Sequence, residues 1–298
     1  MRANVTTLLL RVAAAALLGL ASALAAGARA ADADGLRTQY RELREQLHQN
    51  GFGRPLHIDS AEQQNRLTGV VHAVLEHRFE VVSAALRSSA GWCDILILPF
   101  NTKYCHALEG PAGSALLVRI GRRYDQPVEQ AYRLRFDYRN LAARPDYFES
   151  RLHAAEGPVG TRDYRIAVAA VPLDGGRTFL RLDYSYAVGA AGRMAMQLYL
   201  ATAGAGKVGF TETGRDEQGR PHYIGGVRGA VERNAMRYYL AIDAHLDSLS
   251  AAPGQQRERR IQSWYTAVER WPQLRELDRE TYAAMKRQEY ERQQALLQ

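Results

Sequence analysis

Two hydrophobic periods divide the chain. Over 132–139 every second residue is apolar: Tyr132, Leu134, Phe136 and Tyr138 alternate with Arg133, Arg135, Asp137 and Arg139. No helix carries that spacing, so it predicts a strand with one dry and one wet face. The same count predicts a strand over 178–186. There Leu180, Leu182, Tyr184 and Tyr186 share one side, and Phe179, Arg181, Asp183 and Ser185 share the other. Further strands are expected over 114–120 and 164–171, and a weaker one over 147–154. Ala143-Arg144-Pro145-Asp146, Gly157-Pro158-Val159-Gly160 and Asp174-Gly175-Gly176 supply the turns between them. Short strands joined this tightly make an antiparallel meander.

On either side of this block the pattern changes. Residues 36–48 favour a helix that stops at Asn50-Gly51-Phe52-Gly53. The Val-rich stretch 67–76 predicts a strand. Phe79, Val82 and Leu86 stand at helical spacing, and 92–98 predicts a second short helix or turn, closed by Pro99. Residues 192–201 suit a helix or a further strand, and 211–222 a hairpin loop. The longest helical stripe is Val227, Val231, Ala235, Tyr238, Ile242, Leu246 and Leu249, recurring every three or four residues. Past Ala251-Ala252-Pro253-Gly254 a charged, helix-favouring extension begins, broken at Pro272. The chain contains no internal repeat.

The order strand, two short helices, antiparallel strands and one long helix resembles the START-like, polyketide-cyclase superfamily over about 65–250. Within it, 71–93 is similar to that superfamily's passage from strand to helix: a strand ending near His77, Phe79 opening a helix, then Gly91-Trp92-Cys93-Asp94. The resemblance implies an α+β helix-grip fold, with an antiparallel sheet curled around the long helix and a hydrophobic cavity between them. It also implies a small apolar ligand such as a lipid, a sterol or a polyketide-like molecule. Tyr184 and Tyr186 on the sheet, Met194 and Met196 after it, and Met236 and Tyr239 on the long helix are the candidate ligand-binding residues. Tyrosine offers a large ring with a polar tip and methionine adapts to irregular shapes, although both also fill ordinary cores.

Composition is that of an ordered globular chain, 46% hydrophobic and 24% charged over 298 residues. The first thirty carry a basic start, an Ala-rich apolar run over 12–24 and Ala28-Arg29-Ala30, which is the pattern of a secretory signal. The expected organisation is therefore a signal peptide over 1–30 and an N-terminal helix and lead-in over 31–64. The helix-grip domain over 65–250 and the helical extension over 251–298 follow. Cleavage after Ala30 removes Arg2, Arg11 and Arg29 and takes the formal charge from +7 to +4. So small a charge, with Arg mixed among acids, argues against a nucleic-acid partner. In a periplasmic or secreted chain two cysteines read first as a disulfide, here Cys93 with Cys105.

Catalytic motifs are weak. Gly204-Ala205-Gly206-Lys207-Val208-Gly209 has the letters of a dinucleotide fingerprint, but the polar, Gly-broken sequence after it supplies no helix N-terminus for a pyrophosphate. No Gly-x-Ser-x-Gly occurs, the histidines are dispersed, and no metal or cofactor is called for. Arg181 and Asp183 share a wet face and could pair. A cyclase- or hydrolase-type enzyme would need a cavity-facing acid or base, with Asp183 or a histidine the first to consider. In the extension, Ile261, Trp264, Val268 and Trp271 form one stripe beside several arginines. That stripe suits a membrane surface or an envelope partner's groove, or packing on its own domain. The expectation is a periplasmic binding or carrier protein for a hydrophobic small molecule, with enzyme and partner-binding module as the alternatives.

Overall fold

A computed structural model describes residues 33–111, 113–121, 126–202, 204 and 206–295; the expected signal segment lies outside the described residues. Ala33–Glu42 (α1) and Arg44–His48 (α2) precede the hairpin of Leu56–Gln63 (β1) and Arg66–Leu75 (β2). Phe79–Leu86 (α3) and Ser89–Leu96 (α4) follow. Ser88 caps α4, its hydroxyl accepting from the Gly91 amide at 3.1 Å, which satisfies one of the donors that every helix start leaves open. Then come Thr102–Leu108 (β3), Ser114–Ile120 (β4), Tyr132–Arg144 (β5), Tyr147–Glu156 (β6), Thr161–Leu173 (β7) and Arg177–Val188 (β8). The sheet order is β1-β2-β8-β7-β6-β5-β4-β3, antiparallel throughout. The helix Ala190–Ala201 (α5) and the small hairpin of Glu212–Arg215 (β9) and Pro221–Tyr223 (β10) lead into Gly226–Ser248 (α6), the expected long helix.

The predicted faces are the observed ones. Leu134, Phe136, Tyr138, Leu180, Leu182, Tyr184 and Tyr186 are buried in one core with Val231, Ala235, Ile242 and Leu246 of α6, and Tyr132 is half-buried. Leu134→Ala and Leu182→Ala should each lower the unfolding free energy by about 3 kcal/mol. Unchanged urea midpoints for both would show that these side chains are not in the core.

The outer face departs from expectation at Phe179. It is buried because α1 lies over that side of the sheet and seats Tyr40 against it, ring centroids 5.1 Å apart. Arg181 and Asp183 do pair, at 2.7 Å and 2.8 Å, and Gln39 of α1 accepts from the same guanidinium. Strands β1 and β3 lie at the sheet edges, where the alternation is short. In β1 only Leu56 and Ile58 are buried before the strand turns polar, so the lead-in over 31–64 holds a strand of the main sheet.

The extension forms Pro253–Glu269 (α7) and Arg279–Ala295 (α8) and shares the core of the domain. Its stripe is not a free surface, which corrects the membrane or partner reading. Ile261, Trp264 and Val268 are buried where α7 packs on α6, and the Trp264 indole donates to the Arg237 carbonyl at 3.2 Å. Trp271 is half-buried, edge-on to Phe52 and Phe210. Helix α8 covers the exposed edge of β3, where the Gln293 side chain accepts from the Cys105 amide at 3.0 Å. Cys93 of α4 and Cys105 of β3 are joined in the expected disulfide, Cα atoms 5.2 Å apart.

Candidate functional site

Residues of β4, β5, β7 and β8 face α6 across a cavity of about 110 Å³. The β4–β5 register sets Val118 opposite Leu134, and these two with Ile120 and Phe136 form an apolar floor. Tyr164 and Tyr184 come from β7 and β8. Asn234, Arg237 and Tyr238 reach the cavity from α6, since residues three and four apart share a helical face. The far wall is the tight turn from Pro99 to Thr102, closed by the Thr102 amide donating to the Pro99 carbonyl at 3.1 Å.

The aromatic side is a four-tyrosine cluster. Tyr164 stacks on Tyr186 at 5.1 Å, Tyr184 lies 5.7 Å from Tyr186, and Tyr238 lies 5.2 Å from Tyr184. Burial pushes the hydroxyls of all four above the ordinary phenol range. They therefore stay protonated near neutral pH and act as hydrogen-bond donors or acceptors, not as bases. Arg237 supplies the only formal charge among the described lining residues. Its guanidinium lies over the Phe100 ring at 5.9 Å and is ion-paired with Glu276 of the extension. No described lining residue is a histidine, carboxylate, lysine or cysteine.

Of the six candidate ligand residues, Tyr184 lines the cavity, and Tyr186 stands behind it in the cluster. The Tyr186 hydroxyl reaches the Met196 sulfur at 3.9 Å. Met194 is 73% exposed and points to solvent, away from the cavity, because α5 turns that face outward. Met236 is buried in the core. Tyr239 lies under the Arg54 guanidinium, 5.2 Å from the ring centroid, so its neighbour Tyr238 takes the cavity position instead. One residue along a helix is a rotation of about 100°, which separates the two rings. Asn234 and Arg237 were not anticipated. A signal existed for Asn234: it stands three residues after Val231 and four before Tyr238, a polar residue inside the apolar stripe.

Of the fingerprint-like glycines, Gly209 has a packing role, whereas Gly206 faces open space. The Lys207 amide closes a turn on the Gly204 carbonyl, and a Cβ on Gly209 would fall 2.5 Å from Glu232 Oε2 and 2.9 Å from the Gly229 backbone. Buried Glu232 accepts from Ser60, from the Phe210 and Thr211 amides and from the Thr211 hydroxyl, tying β1 and this turn to α6. Among the described residues no group of three or more His, Cys, Asp or Glu is placed to hold a metal, and no helix is long and apolar enough to cross a membrane.

Strand order, the two helices between β2 and β3, and the long helix against the sheet define an α+β helix-grip protein with a small, tyrosine-walled cavity. No protein-family model matches the chain, and no curated protein matches it. Similar solved structures include the Zhui aromatase/cyclase from Streptomyces sp. R1128, with a TM-score of 0.38 and 16% identity over 66% of this chain and 99% of that one. Ara h 8.0201 scores 0.34 with 9% identity over 66% and 99%. A norcoclaurine synthase point mutant from Thalictrum flavum, solved with a transition-state analogue, scores 0.33 with 15% identity over 48% and 90%. These likenesses are of general arrangement, and the helix-grip assignment rests on the chain's own topology.

Proposed function

We propose that the chain is an exported binding protein for a small hydrophobic molecule held between the sheet and α6. The observation that carries this reading is the cavity lining: an apolar floor, three tyrosines whose hydroxyls stay protonated, and one paired arginine. Such a surface removes apolar area from water, worth about 25 cal/mol per Å², and offers a few polar groups for orientation. Its described residues supply no group that exchanges a proton near neutral pH, which favours binding over acid–base chemistry. Export is supported by the signal-like pattern over 1–30 and by the Cys93–Cys105 bond, which persists in oxidising compartments.

Size narrows the ligand. Ligand clefts commonly measure about 300–1,000 Å³, whereas about 150 Å³ suffices for benzene. At about 110 Å³ the cavity is smaller than either figure and takes at most a single ring or a short chain; a fatty acid or sterol would need the tyrosine cluster to move. Native mass spectrometry of protein taken from the periplasm should find a chain beginning at Ala31 with a small apolar molecule bound. Tyr184→Ala should release that molecule while unfolding cooperatively. A full-length chain recovered from the cytoplasm would remove the export reading. An empty protein that takes up no apolar probe would remove the binding reading.

A further inference from the structure

The turn that walls the cavity is held from outside the helix-grip domain. Pro99 and Thr102 both line the cavity, and the carbonyls of both accept from the ammonium of Lys286 in α8, at 2.8 Å and 2.9 Å. Between them, Phe100 is gripped edge-on by Trp264 of α7 at 5.0 Å and by Tyr282 of α8 at 5.4 Å. The Tyr282 hydroxyl donates to the Leu98 carbonyl at 3.1 Å, just before the turn. Lys286 is itself fixed by Glu289 at 2.8 Å, and Glu289 also accepts from Lys103 of β3 at 2.8 Å. Beside the turn, Arg237 of α6, whose guanidinium lies over the Phe100 ring, is tied to the extension through Glu276.

We propose that the C-terminal extension determines which ligands the cavity admits: by holding the Pro99–Thr102 turn and Arg237 in place, it restricts the site to single-ring molecules and excludes fused rings. This rests on the binding reading above and specifies its ligand class. The argument is one of rigidity. A four-residue turn with no support has soft dihedrals and can swing away from a larger guest. Here two of its carbonyls are bonded to a buried, charge-paired ammonium, and its one large side chain is locked between two aromatic rings. Moving the turn by the width of a ring would break both carbonyl bonds and leave buried polar groups unsatisfied. That is enough to exclude a two-ring guest by tenfold or more, since each factor of ten corresponds to about 1.4 kcal/mol.

Lys286→Met is the direct test. It removes both bonds to the turn and leaves Lys103 and Glu289 as a matched pair, so no buried charge is stranded. Glu276→Ala is the second variant; it breaks a partly exposed pair and frees Arg237 without touching the buried network. Toluene and naphthalene would be titrated into wild-type and both variants, with the thermal midpoint measured on the same samples. Wild-type protein should bind toluene at least tenfold more tightly than naphthalene. Either folded variant should narrow that ratio severalfold by gaining naphthalene affinity. General loosening of the fold would weaken both probes together and leave the ratio unchanged, and that result overturns the proposal while leaving the cavity as a binding site. Wild-type protein that binds neither probe would overturn the binding reading itself. Equal binding of both probes by wild type would overturn the ring-size limit.

Discussion

Glu289→Gln should lower the unfolding free energy by about 3–5 kcal/mol, the range expected when a buried ion pair loses one partner. Glu289 is bonded to two buried ammonium groups, Lys103 and Lys286, and Lys286 is fully shielded from water. Burial already pushes Lys286 down to about 8 despite the attraction of Glu289. With the carboxylate neutralised, two like charges would face each other in a dry site, and the protein would have to shed a proton or open the contact between α8 and β3. Lys286→Met should cost less, because Lys103 and Glu289 remain matched. Urea midpoints of the two variants at pH 7 check the ranking. A Glu289→Gln protein as stable as Lys286→Met would mean that water reaches the network and that the extension is held by its apolar contacts alone.

Lowering the pH from about 6.5 to 4.5 should destabilise the protein before most of its carboxylates protonate. His72 and His245 are 8% and 3% exposed, and the Nδ1 atom of each is buried without a hydrogen-bond partner. Burial, with Arg181 and His57 nearby, pushes His72 down to about 4; burial, with Arg260 nearby, pushes His245 down to about 3. An unfolded histidine titrates near 6.5. Between that value and the folded one the unfolded chain binds protons that the folded chain does not, so stability is fully present above 6.5 and is lost as the pH falls. The loss is on the order of 3 kcal/mol for each group by the low end of the range. His77 does not offset it: its hydrogen bond to Asp247 raises its pKa, so its contribution is already complete below about 6.5 and is lost only as the pH rises above that value. Unfolding free energies of wild type and of His72→Asn/His245→Asn at pH 7.0 and 4.5 would check the prediction. The variant should show the shallower fall, and parallel falls would place the acid sensitivity elsewhere.

The two expectations came through the structure unequally. The strands were legible because alternate burial leaves a period that no helix reproduces, as in Leu134, Phe136 and Tyr138 against Arg133, Arg135 and Asp137. The cavity was legible only as an implication of fold resemblance. Of the residues proposed for it, Tyr184 lines it, whereas Tyr238, Asn234 and Arg237 complete the α6 wall. A helical stripe specifies a broad face; it does not say which edge of that face meets a void and which meets packed side chains. Tyr238 and Tyr239 are the clearest case, adjacent in sequence, with one in the cavity wall and one beneath Arg54.

By itself, then, the sequence determined the meander, the long helix, the cysteine pair and the break at Pro272, because each depends on residues close together along the chain. Only the tertiary structure decided what the amphipathic extension packs against. Ile261, Trp264 and Val268 present the same stripe whether the partner is a bilayer, another protein or α6. The link from Lys286 to Pro99 and Thr102 was equally invisible. It joins residues more than 180 positions apart, and an isolated lysine in a charged helix reads as solvated until the fold removes its water.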